Sequence, residues 1–334
     1  MAEELIKPVE RKRNWKKILA WFVGISFTLS FAFVLCVHLL ISKGVGGTSD
    51  YIQSDFSKVY VNVMSYERPS DGTTLLLLPM SHIAQDSFYE KVSQQLENAD
   101  IILTEGVNDR QNRLNIKGKI GYANVAHIFG LSEQQAFRNR TAVNADGDLS
   151  VLKEESVELL KKLFSMIGSY GTEEFMDKFK DYAEFAEKNP TVTEKTMQDI
   201  LTLRNDVLVQ SLQAVLKDGE AIKEKLKLDQ EGMLLKLGLK TSSAKTTEIQ
   251  STLEEQQNKV ASLYQNMNNA INDFLALKKE KRLIAIPWGA KHFDELIPQF
   301  EEMGFVKKKE SSLEIARFGH VYASIFSHLF SSEN

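Results

Sequence analysis

From Ile18 to Ile41 the chain reads ILAWFVGISFTLSFAFVLCVHLLI, 24 residues without a Lys, Arg, Asp or Glu. A helix of about 20 apolar residues spans the hydrocarbon core of a bilayer, so this stretch predicts a single transmembrane helix. Arg11, Lys12, Arg13, Lys16 and Lys17 precede it, and Lys43 alone follows before GVGGTSD. That asymmetry puts the N-terminus in the cytoplasm and everything after residue 42 outside, at the plasma membrane. A cleaved signal peptide has an apolar core of about 7–15 residues and small residues at the cut. This core is longer and ends in HLLIS, which favours an uncleaved anchor. A lipoprotein needs a small residue before Cys36, and Leu35 stands there.

The expected organisation is a basic tail (1–17), the anchor (18–41), a tether (42–54) and an extracytoplasmic domain (55–334). Cys36 is the only cysteine and lies in the anchor, so the outer domain has neither disulfides nor a thiol nucleophile. Six Lys/Arg against three Asp/Glu give the tail +3, which leaves −7 for the rest of a chain whose net charge is −4. Nucleic acid calls for a basic face, and this balance argues against it.

Past the tether, KVYVNVMS (58–65) alternates at period 2, ERPSDG turns, and TTLLLLP (73–79) is a continuous apolar run. That pattern is a hairpin leading into a buried strand. After His82, Ser87 and Glu90 have capping-box spacing. Phe88, Val92, Leu96 and Ala99 follow at helical intervals. IILTEG (101–106) is a second apolar strand, so the unit reads strand–helix–strand with its strands parallel. Parallel strands share a carboxyl edge, where open α/β sheets bind ligands. His82 and Glu105, 23 positions apart, therefore come to one edge.

Residues 120–245 read as mostly helical. Phe175, Phe179, Tyr182 and Phe185 line one face of a helix ending before Pro190, read as core rather than a cofactor pocket. A longer helix carries the stripe Met197, Ile200, Leu201, Val207, Leu208, Leu212 and Val215, with Arg204 in its middle. A buried guanidinium there requires a carboxylate or a bound anion. Ile249, Leu253, Gln256, Val260, Leu263, Met267, Ala270, Phe274 and Leu277 follow at 4-3 spacing, a coiled-coil-like seam. It offers itself to the preceding helix or to a second subunit, and the sequence leaves both open.

KRLIAIPWGAKHFDELIPQFEEMGF then repeats the opening logic, with a strand to Pro287, a joint through His292 and a helix face of Leu296, Ile297, Phe300 and Met303. Gly304 caps that helix, and FVKKKESSLEIARF reads as a closing hairpin. The fold class is mixed α/β, a mostly parallel sheet with a site at its strand ends and a large helical insertion.

Two strand-end histidines and a strand-end glutamate, His82, His292 and Glu105, make a metal set suited to Zn, Mn, Fe or Co with room for water. A metal-bound water is a hydrolytic nucleophile. Singly, each residue reads more plainly as a hydrogen-bonded surface group. No HExxH, G-x-S-x-G or G-x-G-x-x-G motif is present. NADGDL (144–149) fails as a calcium loop, because Gly147 at its sixth position puts Ala142 first and Lys153 twelfth. His127, His320 and His328 have no aligned partners.

PMSH…ILTEGVNDR, Arg204-Asn205 and IAIPWGAKHFDEL together resemble the TraB/PrgY/GumN family, relatives of the TIKI metalloproteases and the erythromycin-esterase superfamily. The likeness covers about 55–318, interrupted at roughly 217–280. The family opens on Gly-x-x-His, and Pro79 replaces that glycine here. The resemblance implies a metal-dependent hydrolase of peptide or small-molecule substrates, with protease activity in the TIKI branch and damping of peptide-pheromone signals elsewhere. Carried over, His82, Glu105 and His292 are the ligands of a divalent ion, and Arg110 and Arg204 pair the carboxylate or hold a substrate anion. The alternative expectation is a non-catalytic protein that sequesters a peptide in the same crevice, with residues 249–277 recruiting a partner.

Overall fold

The computed structural model describes residues 49–106, 108–115, 121–135, 142–217 and 282–331, with single positions between 230 and 276. The expected anchor at 18–41, with Cys36, and the nine seam positions themselves, from Ile249 through Leu277 at 4-3 spacing, lie outside the described residues. No described helix is long and apolar enough to cross a membrane.

Nine strands and seven helices are described. The strands are β1 (Ile52–Ser54), β2 (Lys58–Arg68), β3 (Thr73–Met80), β4 (Ile83–Ala84), β5 (Ile101–Thr104), β6 (Ser132–Glu133), β7 (Ala142–Asn144), β8 (Leu283–Gly289) and β9 (Val306–Arg317). The helices are α1 (Asp86–Leu96), α2 (Ala123–Ile128), α3 (Glu154–Gly168), α4 (Phe175–Lys188), α5 (Pro190–Lys217), α6 (Phe293–Glu302) and α7 (Phe318–Ser331).

The main sheet runs β1-β2-β3-β8-β5-β7, with β9 paired to β2. β3, β8, β5 and β7 are mutually parallel, and the β1, β2 and β9 pairings are antiparallel. Burial explains the division. β2 alternates buried and half-buried positions, as a sheet face with one wet side does, whereas β5 and the interior of β8 are continuously buried. One core cluster joins the sheet residues Leu75, Leu77, Ile101, Ile284 and Trp288 to Leu208 and Leu212 of α5 and Phe293 and Phe300 of α6. Ile271 belongs to it too, so the chain between α5 and β8 returns to this core.

The strand–helix–strand unit β3-α1-β5 is present and its strands are parallel, but they are not neighbours. β8, nearly 180 positions downstream of β5, is inserted between them. Its carboxyl end, Gly289 to His292, therefore lies in the middle of the edge, flanked by the end of β3 and by the end of β5. Pro79 does not break β3. It pairs in parallel register with Trp288, and the ladder continues to Met80 opposite Gly289.

Three local expectations need correction. Residues 306–317 are not a hairpin but one strand, β9, running antiparallel along β2. Ser311-Ser312 lacks the Gly, Asn or Pro that a tight reversal requires, so the chain stays extended. α1 begins at Asp86 with Gln85 as cap and no side-chain cap bond, so Ser87 and Glu90 do not form a capping box. The α4 aromatic face is only partly covered, since the helix has no fully buried residue, Phe175, Tyr182 and Phe185 are half-buried and Phe179 is 46% exposed. Beside it Lys162 bonds Asp181 at 2.9 Å, with its ammonium 5.7 Å from the Phe185 ring.

The β2–β3 turn carries a prediction. Arg68 Nη2 meets Asp71 Oδ2 at 2.5 Å, Asp71 Oδ1 accepts from the Thr73 N–H, and Gly72 takes φ +70°, which a side chain disfavours. The hydrogen bond from Arg68 holds the Asp71 carboxyl down to about 2. A lowered carboxylate pKa stabilises the fold above its unfolded value of 3.8, and that contribution is lost as pH falls through about 2. Asp71→Asn should cost about 1 kcal/mol or less at pH 7. The difference in melting temperature from the parent should close as the solution is taken toward pH 2.

Candidate functional site

At the carboxyl edge of the parallel strands the chain buries a cluster of charge. Glu105 follows β5 directly. Its Oε2 accepts from the Gly289 N–H at 2.6 Å and its Oε1 accepts from Arg204 Nη2 at 2.5 Å. Arg204 comes from mid-α5, where the apolar stripe turns it inward. Its Nε and Nη2 donate to the two oxygens of Asp146 at 2.9 and 2.8 Å, a bidentate pair. The Asp146 side chain is fully buried, and it also accepts from the Gly106 and Gly147 N–H groups at 2.9 and 2.6 Å. The turn that presents it is local chemistry. Asn144 Oδ1 accepts from the Asp146 N–H and Asn144 Nδ2 donates to Gly106 O, tying the end of β7 to the end of β5.

His292 ends a single 3-10 turn, Ala290–His292, between β8 and α6, and is 5% exposed. Its Nε2 stands 3.9 Å from Glu105 Oε1, and its Nδ1 meets Asn205 Oδ1 at 2.6 Å. Asn205 Nδ2 donates onward to Glu295 Oε2 at 2.8 Å. Trp288 floors the cluster. Its indole N–H donates to Leu103 O at 2.9 Å, its ring lies 5.7 Å from the Arg204 guanidinium, and it meets the His292 ring edge-on at 5.1 Å.

The ionisation states follow from these contacts. Burial works to raise the Glu105 carboxyl, but the charge of Arg204 outweighs it and holds the group below its ordinary value. Burial pushes the His292 imidazole down, Arg204 adds to this, and together they outweigh Glu105, Asp146 and Glu295. Burial opposes the Arg204 charge, yet Glu105 and Asp146 raise its pKa further. The site thus holds an ionised carboxylate, a permanent cation and a neutral imidazole side by side.

The structure brings Glu105, Arg204 and His292 together as the sequence pattern suggests. His82 lies at the adjacent strand end, where its exposed ring stacks on Tyr122 at 4.8 Å and 5°. Arg110 lies against Asp148 at 3.5 Å. Among the described residues no three His, Cys, Asp or Glu side chains gather to hold a metal ion. His292 Nε2 and Glu105 Oε1 are chemically suited as two ligands of such a set.

The chain matches no family model, no curated protein and no solved structure. Its own geometry therefore carries the functional argument.

Three residues of the cluster escaped the sequence pattern. Asp146 sits in the stretch weighed only as a calcium loop; its usable signal was an acid between Asn and Gly just after a short apolar strand. Glu295 is three positions past His292, the spacing that shares a helix face. Trp288, within the joint that leads to His292, carries no signal of its own in the sequence.

Gly289 is where backbone must come close. A Cβ there would stand 3.3 Å from Glu105 Oε2 and 3.5 Å from His292 Cδ2. Gly289→Ala should leave the sheet intact but push the carboxylate away from the imidazole. The check is a shift of the His292 ring-nitrogen NMR signals from their parent positions beside an unchanged melting temperature.

Proposed function

We propose that this chain is a hydrolase of amide or ester bonds, anchored by residues 18–41 with its domain outside the cell, acting on a peptide or secreted signal. The observation that carries the reading is the 3.9 Å pair of His292 Nε2 and Glu105 Oε1 at the carboxyl edge of parallel strands. A water held between them gives its proton to Nε2 as its oxygen bonds to the substrate carbonyl carbon. The imidazolium formed is stabilised by Glu105 and then returns the proton to the departing amine or alcohol as that bond breaks. Arg204 does not touch the reacting atoms. It holds Glu105 ionised and in place, itself clamped by Asp146. Were a divalent ion bound, His292 and Glu105 would be two of its ligands, with His82 the third that the resemblance implies, and the ion would supply a bound water of lowered pKa.

One observation favours the second reading, a non-catalytic peptide binder. Both Glu105 oxygens are already engaged, by Gly289 and by Arg204. The full chain in detergent, assayed against a mixed peptide and ester library with and without chelator, tests both. Cleavage abolished by Glu105→Gln supports the hydrolase. Retention of a peptide without cleavage, in both the parent and the Glu105→Gln chain, supports the binder. Metal content measured on the same samples separates a water activated by the side chains alone from one activated by an ion.

A further inference from the structure

Asn205 and Glu295 form a chain of hydrogen bonds behind His292 whose polarity has a single consistent assignment. An ionised carboxylate accepts and cannot donate. The Glu295 carboxylate lies in the first turn of α6, where a negative charge is favoured. It therefore draws the NH2 end of the Asn205 amide toward itself, at 2.8 Å. The opposite end of that amide is Oδ1, which only accepts, and it lies 2.6 Å from His292 Nδ1. Nδ1 must then carry the hydrogen. In a neutral imidazole this leaves the lone pair on Nε2, the nitrogen that faces Glu105.

We infer that Glu295 is a positioning residue that sets the tautomer of His292 through the Asn205 amide, holding Nε2 free to take a proton or to ligate a cation. The tautomer stands on the hydrogen bonds alone; only its consequence for turnover rests on the hydrolase reading. Asn205 is 1% exposed and His292 5%, so water competes poorly for either end of the relay. The arrangement also gives the adjacent residues Arg204 and Asn205 separate tasks. One turn of α5 holds the carboxylate of the site, and the next residue orients its imidazole.

The test exchanges the acceptor for a donor. Lysine only donates. Glu295→Lys should therefore draw Asn205 Oδ1 toward residue 295, turn Nδ2 toward the imidazole and move the hydrogen to Nε2. Glutamine either accepts or donates, so Glu295→Gln should populate both tautomers and serves where the lysine variant does not fold. The readout is nitrogen NMR of the full chain in detergent, with histidines labelled and the His292 signal assigned by its loss in His292→Gln. The expected result is an Nδ1–H imidazole in the parent, an Nε2–H imidazole in Glu295→Lys and a mixture in Glu295→Gln. Turnover should fall in proportion to the Nε2–H fraction, with KM little changed. An Nε2–H imidazole in the parent, or an unaltered Nδ1–H signal in both variants, overturns the inference. Inversion of the tautomer with undiminished cleavage supports the relay and counts against His292 as the base, so the two failures are distinct.

Discussion

Arg204→Met is expected to cost about 3–5 kcal/mol of stability at pH 7, because it leaves buried carboxylate without its cation. Asp146 is fully buried and Glu105 is 10% exposed, and both bond to Arg204 Nη2. Methionine fills much of the volume but supplies no donor. The backbone N–H groups of Gly106 and Gly147 still reach Asp146, and that of Gly289 still reaches Glu105, which keeps the loss from being larger. The pH dependence has a definite sign. With Arg204 present, Glu105 is held below its ordinary pKa and stabilises the fold at neutral pH. Without it burial prevails, and the carboxyl is better tolerated protonated. The gap between parent and variant should thus be widest near neutrality and narrow as pH falls toward about 4. Urea titrations of the full chain followed by circular dichroism measure it. Adding Asp146→Asn to the variant should recover part of the loss, with a coupling of roughly 0.5–3 kcal/mol. Strict additivity of the two changes would show that the pair is not the structural unit described.

His292→Gln is expected to lower turnover about 10²–10⁴-fold while leaving the fold in place. Glutamine keeps an N–H that can donate to Asn205 Oδ1, so the interior hydrogen bond has a replacement. What it lacks is a basic nitrogen facing Glu105. The loss should appear in kcat, since the imidazole acts on the water rather than on the bulk of the substrate. A variant that cleaves at the parent rate would remove His292 from the chemistry and leave the crevice as a binding surface.

Several parts of this arrangement were readable in one dimension because their causes are local. Continuous apolar runs such as Leu75 to Leu78 and Leu283 to Ile286 announce buried parallel strands, and the polar residue that ends each run lands at the sheet edge. Arg204 within an apolar stripe demanded a carboxylate partner, and it has two. Pro190 separates α4 from α5, and Gly304, at φ +86°, follows the end of α6. By contrast, the pattern of 306–317 suggests a hairpin because nothing in VKKKESSLEIAR reveals that β2 runs beside it for nearly its whole length. The α4 aromatic face reads as core yet is only half-covered, because helical periodicity reports one-sidedness, not how completely that side is covered.

The sequence by itself determined strands β2, β3, β5 and β8, the polar groups at the ends of the parallel ones and the need of Arg204 for negative charge, since these follow from periodicity and from the cost of burying an unpaired ion. Only the tertiary structure decided the rest. It set β8 between β3 and β5, brought Asp146 from a failed calcium loop onto Arg204, gave Arg110 to Asp148, and ran a relay from His292 through Asn205 to Glu295. Those links join residues far apart in the chain through directional polar contacts or a neighbouring strand. Neither leaves a local pattern, because the geometry that selects the partner exists only once the sheet has closed around it.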